Sequence, residues 1–159
     1  MPHTNPAGLS IIRNDEGEIL YAYDDESGQY PPPPFMPGMT LKGVLTIGDG
    51  HTGPDVHPGQ RITPAEAASL LAADLHGFEV AVNNMVAHDI NSNQFSALVS
   101  LAYNIGSGAL QRSSLLAALN AGNVKQAADD FGLYVHGPNG EVMAGLVTRR
   151  AQERALFLA

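Results

Sequence analysis

Carboxylates crowd one short stretch of this chain. Asp15, Glu16 and Glu18 come first, Asp24, Asp25 and Glu26 follow, and the run Thr46-Ile47-Gly48-Asp49-Gly50-His51-Thr52 closes the group. Cleaving a glycosidic bond takes one carboxylic acid to protonate the leaving oxygen. It takes a second carboxylate to activate water or stabilise the cationic transition state. Glu16 and Asp25 stand nine residues apart, and a strand between them could turn both toward one cleft. Asp15 and Glu18 flank Glu16, and nearby negative charge with partial burial raises a carboxyl pKa, as a general acid needs. On spacing alone, solvated carboxylates on an acidic hairpin account for the same residues, and acidic turns are the commoner arrangement.

Other chemistries find less support. The chain has no cysteine, which removes thiol nucleophiles, disulfides and cysteine-ligated metals. It has no Gly-x-Ser-x-Gly elbow and no phosphate-binding loop. His51 and His57 could ligate a metal, but no third ligand has metal-site spacing. A structural His51, bonded within its turn, is the expectation. No cofactor is expected. Asp49 reads as a turn residue.

The elements that must position the carboxylates follow from local signals. Asn5-Pro6 looks like a helix cap with proline in the first turn. Leu9, Ile12 and Arg13 continue at helical spacing, and Gly17 stops the helix just after Glu16. Residues 18–23 alternate as a short strand. Asp24 to Gly28 form a turn, and Pro31 to Pro34 with Pro37-Gly38 form a polyproline-like loop. Residues 41–47 resume an extended pattern. From Thr63-Pro64-Ala65-Glu66, a capping box, the texture becomes helical. Ala67, Leu70, Leu71, Leu75, Phe78 and Val82 form one stripe. Residues 92–105 form a second helix closed by Gly106, and 114–120, 124–131 and about 145–158 form three more. The fold class is α+β, with a small β-hairpin lobe packed beside a larger helical lobe and a cleft between them. The lobes are expected at about 1–62 and 63–159 of a single domain.

Composition bounds the partners. The 159 residues are 44% hydrophobic with net charge −8, enough for one globular domain. Residues 1–60 hold two basic side chains, Arg13 and Lys42, against eight acidic ones. That balance argues against nucleic acid and against charge-driven adhesion to anionic polymers. The N-terminus lacks the pattern of a signal peptide, and no apolar run approaches the ~18 residues that span a bilayer. The expectation is a monomer made in a host cytoplasm.

The run from Asp15 to Gly28, followed by Thr46-Ile47-Gly48-Asp49-Gly50-His51, resembles the phage-type lysozymes (endolysins, glycoside hydrolase family 24). Tyr23 and Asp25 keep the family's offsets from its Glu-Gly pair. Pro58 to Thr63, Gln94 to Gly106, Ser113 to Leu116 and Gly145 to Ala151 resemble later family segments in the same order. The resemblance implies a lysozyme-like fold and an N-acetylmuramidase acting on peptidoglycan glycan strands at the cell wall. Glu16 becomes the general acid, Asp25 the carboxylate that positions or activates water, and Thr46 the hydroxyl that helps hold it. Tyr103, Asn104 and Ser114 fall where the family lines its cleft. Tyr103 could equally be core, and Ser114 could simply cap its helix. Arg149 or Arg150 aligns with a basic residue that pairs with the catalytic Glu in some relatives, although a solvated face suits both as well.

Two departures stand out. Twenty residues separate Asp25 from Thr46, far more than the family's short link. The surplus near Gln29 to Val44 could be a cleft rim, a substrate lip or an attachment point. The chain also lacks tryptophan, and Leu133-Tyr134 occupies the place where the family often has one, with Tyr134 expected in the core. The rivals are a lytic transglycosylase, which needs only the Glu, and a non-catalytic wall-binding module. Holin-dependent release or an immunity protein would fit a lysin or a secreted effector respectively.

Overall fold

The computed structural model describes residues 1–159, except for the side chain of Glu16. It is α+β. Eleven elements run in the order α1 (Pro6–Glu16), β1 (Ile19–Asp24), β2 (Leu45–Gly48), β3 (His51–Thr52), α2 (Pro64–Met85), α3 (Ser92–Ile105), α4 (Ser107–Gln111), α5 (Ser114–Asn120), α6 (Val124–Asp130), a 3-10 turn (Phe131–Leu133) and α7 (Ala144–Leu158). No helix among the described residues is long and apolar enough to cross a membrane.

The chain divides into two compact units, residues 16–74 and residues 1–15 with 75–159. The lobe expected at 1–62 therefore loses its first helix to the helical unit. The reason lies in the start of α1. Asn5 caps the helix by accepting the Gly8 N–H at 3.0 Å. It also ties the helix to α3, donating its backbone N–H to Ser96 Oγ at 2.9 Å and its amide to Asn93 Oδ1. Gly8 lies close enough to Ser96 that a Cβ there would sit 2.7 Å from the serine Cβ.

In the unit 16–74, β1, β2 and β3 form an antiparallel sheet in sequence order. Tyr23 stands opposite Thr46 and Asp24 opposite Leu45. An irregularity between Ile19 and Tyr23 shifts the register, which bends and twists a strand locally. The other side of β1 is occupied too. Ala22 donates its N–H to Gln60 O at 3.0 Å and accepts the Phe35 N–H at 2.8 Å. Tyr21 bridges Arg61, and Tyr23 bridges Pro34. The proline loop is thus fastened along the strand rather than standing off it, and Phe35 is buried. Ala22, Ile47 and Val56 form the core, with Leu45, Ile62 and Leu70 packed against them. The Thr63 capping box forms as expected, with Thr63 Oγ1 and Glu66 Oε1 each taking the other residue's N–H.

In the helical unit, α3 is the buried centre, and Phe95 through Ala102 are all covered. Leu110, Leu115, Leu119, Phe131 and Phe157 complete the core, with the two phenylalanine rings 5.4 Å apart. Burying each such side chain contributes roughly 1.5–3 kcal/mol. α4 leaves no periodic signal in the sequence, because five residues are too few to show one. The helix after it is capped by Ser113, whose Oγ accepts the Leu116 N–H at 3.0 Å, and not by Ser114. The extended pattern at 41–47 enters the sheet only from Leu45.

Candidate active site

The three expected catalytic positions fall in one unit, residues 16–74. Glu16 is the last residue of α1. Gly17 then takes φ 70°, the left-handed conformation that glycine reaches without a Cβ clash, and this turns the chain from α1 into β1. The Glu16 side chain lies outside the described residues.

Asp25 follows β1 and is exposed, whereas Thr46 on β2 is buried, with 4% of its surface accessible. Tyr23 and Thr46 are opposed across the ladder, so their side chains share a face of the sheet, and Asp25 two residues on from Tyr23 has the same parity. Both candidate groups are fixed to one residue. Asp25 donates its N–H to Val44 O at 3.2 Å, and its Oδ1 accepts the Val44 N–H at 2.7 Å. Thr46 Oγ1 donates to the same Val44 carbonyl at 3.0 Å. A side-chain carboxylate thus closes one direction of a rung that a sheet normally closes with backbone. Among the described residues, Asp25 Oδ2 takes no hydrogen bond.

Asp24, beside this pair, has a role the sequence reading did not assign. Its carboxylate is buried and accepts three backbone N–H groups: Lys42 at 2.7 Å, Gly43 at 2.9 Å and Glu26 at 3.0 Å. These donors, Lys42 foremost, outweigh the effect of burial and hold the Asp24 carboxyl below its ordinary 3.8. The bond to Glu26 two residues on is an Asx turn, a signal readable in Asp24-Asp25-Glu26.

Of the expected substrate-binding residues, Tyr103 is half-buried, with its ring edge-on to Phe78 at 5.3 Å. Asn104 is exposed and borders a groove of about 630 Å³ with Leu133, Tyr134, His136, Met143 and Leu146. Tyr134 is therefore a groove residue, half-buried, and not a filled core slot. Ser114 is not among that groove's lining, and its hydroxyl donates to Asp130 Oδ2 at 2.8 Å on α6.

Arg149 and Arg150 do not lie on a solvated face, since each is only 1% exposed. Arg149 bonds Asp15 Oδ2 at 2.6 Å, Glu153 Oε1 at 3.1 Å and Ser100 O at 2.9 Å. Arg150 bonds Glu153 Oε2, Asn104 Oδ1 and Tyr134 O. Burial lowers the Arg150 pKa, against the pull of Glu153. Two guanidiniums sharing one buried carboxylate need all of these partners, because an unpaired buried charge costs several kcal/mol. The arrangement ties α3 and α7 to Asp15, the residue before Glu16.

His51 binds Asp74 at 2.8 Å and Asp55 at 2.9 Å through its two ring nitrogens. Its partners thus come from α2 as well as from its own turn.

The fold is that of a lysozyme. The family model described as phage lysozyme matches residues 35–153. The chain is 37% identical over 157 residues to the endolysin of Salmonella phage P22, covering 96% of this chain and 95% of that one. A P22 lysozyme structure superimposes with TM-score 0.84 at 36% identity over the whole of both chains. The muramidase domain of SpmX from Asticaccaulis excentricus gives 0.83 at 34% identity, covering 100% of this chain and 99% of that one. The endolysin of Bacillus phage B103 is 42% identical over 152 residues, 96% of this chain and 52% of that protein. The chain thus spans about half the length of that relative. It belongs to the phage lysozyme family, as a lysozyme-type hydrolase domain.

Proposed function

We propose that the chain is an N-acetylmuramidase that hydrolyses the β-1,4 bond between N-acetylmuramic acid and N-acetylglucosamine in peptidoglycan. The observation that supports this most directly is the joint anchoring of Asp25 and Thr46 on Val44. Thr46 gives its proton to the Val44 carbonyl, so its oxygen faces other partners as an acceptor. Asp25 keeps Oδ2 for a second one. A water held by these two acceptors has both hydrogens directed inward and a lone pair left for the sugar. In the reaction, Glu16 transfers its proton to the glycosidic oxygen as the bond to the anomeric carbon breaks. The water oxygen bonds to that carbon, and Asp25 takes the proton released.

The substrate so assigned places the action of the protein at the cell wall. The test of the chemistry is clearing of purified peptidoglycan by the wild type and by Glu16→Gln, with masses taken of the products. A general acid contributes about 10²–10⁴-fold, so Glu16→Gln should clear at a rate lower by that factor. Equal clearing would remove Glu16 from the acid role. Muramic ends lighter by one water would mean a lytic transglycosylase, and no clearing by the wild type would favour a wall-binding module.

A further inference from the structure

The long link between Asp25 and Thr46 ends in three consecutive residues whose backbone N–H groups all point to carboxylates. Lys42 and Gly43 donate to Asp24, and Val44 donates to Asp25. This stretch precedes β2 and has no ladder of its own, so the carboxylates are what give it a fixed path. Gly43 makes that path feasible, because a Cβ there would lie 2.1 Å from Asp25 Oδ1 and 2.6 Å from Glu26 Cγ. The backbone passes so close over Asp25 that a side chain at position 43 would displace the Asp25 carboxylate and the Glu26 side chain. Val44 is next in the chain, and both Asp25 and Thr46 are bonded to it.

The geometry points to Asp24 as a positioning residue for the reaction: by holding residues 42 and 43 it places the Val44 peptide, and through it the Asp25 carboxylate and the Thr46 hydroxyl. This rests on the reading of Asp25 and Thr46 as the water-holding pair. Asp24 is buried and its carboxylate oxygens are taken up by backbone N–H groups. The consequence is that the insertion, far from being a passive spacer, supplies the frame for one side of the site. Its closing end is shaped by an acceptor that lies next to Asp25 in sequence. Ionised Asp24 suits the task, since a carboxylate offers acceptors only, whereas an asparagine would turn an N–H toward one of the three donors.

The experiment measures kcat and KM on soluble glycan oligomers released from peptidoglycan. It compares wild type, Asp24→Asn, Gly43→Ala, Asp25→Ala and the two double variants that combine Asp25→Ala with each of the others. A displacement of about 1 Å at a reacting group can cost on the order of 10²-fold, so Asp24→Asn should lower kcat by at least about tenfold. KM should stay within about twofold. In the Asp25→Ala background, where only the Thr46 hydroxyl is left to misplace, the same substitution should cost clearly less than it does in the wild type. A purely structural role would show otherwise, with a lower melting temperature but an unchanged kcat per folded molecule, or with losses that multiply in the double variant. Either result overturns the inference. If Asp24→Asn does not fold, Gly43→Ala carries the test, because it leaves Asp24 intact and drives a methyl into Asp25. It should give the same kcat loss, again clearly smaller without Asp25, and a wild-type kcat would overturn the inference. If Asp25→Ala alone retains wild-type kcat, the reading of Asp25 fails and this inference falls with it. If Asp25→Ala loses activity while Asp24→Asn and Gly43→Ala do not, only this inference fails.

Discussion

Thr46 is buried and gives its hydroxyl proton to a carbonyl two residues back on its own strand. A threonine needs no such bond to sit in a sheet, and valine fits the same pleated surface equally well. Thr46→Val therefore separates structure from chemistry. One lost hydrogen bond should cost about 0.5–1.5 kcal/mol in urea unfolding. Turnover of peptidoglycan should fall by about 10–100-fold, as expected when a reacting water is no longer oriented. A fall in turnover no larger than the stability change predicts would remove Thr46 from the site. At this scale the offsets of the motif pick out Glu16, Asp25 and Thr46 as candidates. What they do not carry is which atom holds which. Asp24 looked like one more acid in an acidic turn, and its three donors lie two, eighteen and nineteen residues away. The same is true of Arg149 and Arg150. Helical spacing places them, but partners on α3 and at Asp15 decide that they are buried.

Elements were legible where their ends carried local chemistry. Asn5, Gly17 and the Thr63 box each marked a boundary that the structure keeps, because a cap is decided by residues within one turn. α3 offers a check. Asn91 accepts the Gln94 N–H at 2.8 Å, and Gln94 returns its side chain to the Asn91 N–H at 2.9 Å. Asn91→Ala should destabilise the protein by about 1 kcal/mol and leave kcat unchanged, read by thermal melting alongside peptidoglycan clearing. A change in kcat without a change in melting would contradict a pure capping role. Elements were illegible where nothing local distinguishes two outcomes. Residues 42–44 belong to the extended pattern read from 41 to 47, yet their N–H groups go to carboxylates. β3 is two residues long, too short to show a period of its own. The placement of α1 in the helical unit depends on Ser96 and Asn93, and α1's own sequence says nothing of them.

For the molecule as a whole, pH is the accessible lever. Burial alone would lower the His51 imidazole, but hydrogen bonds to Asp74 and Asp55 outweigh it and raise its pKa above 6.5. Asp55 is lowered from 3.8, chiefly by its bond to His51. A raised histidine stabilises fully below 6.5 and loses that contribution as pH climbs through its folded value. A lowered aspartate stabilises above 3.8 and loses its contribution as pH falls through its folded value. The melting temperature should therefore stand highest between these limits and decline on both sides. His51→Gln should flatten the alkaline decline, and parallel curves for the two proteins would refute the assignment. The fastening of the proline loop along β1 has a different kind of consequence. Phe35 and Pro34 occupy backbone positions at Ala22 and Tyr23 that would otherwise invite a strand from another molecule, and unpaired strand edges of this sort seed aggregation. Grafting a short link from a relative in place of residues 29–44 would reopen that template. A loop exchange here must bring its own cover for the strand, or the chimera will be a sticky protein.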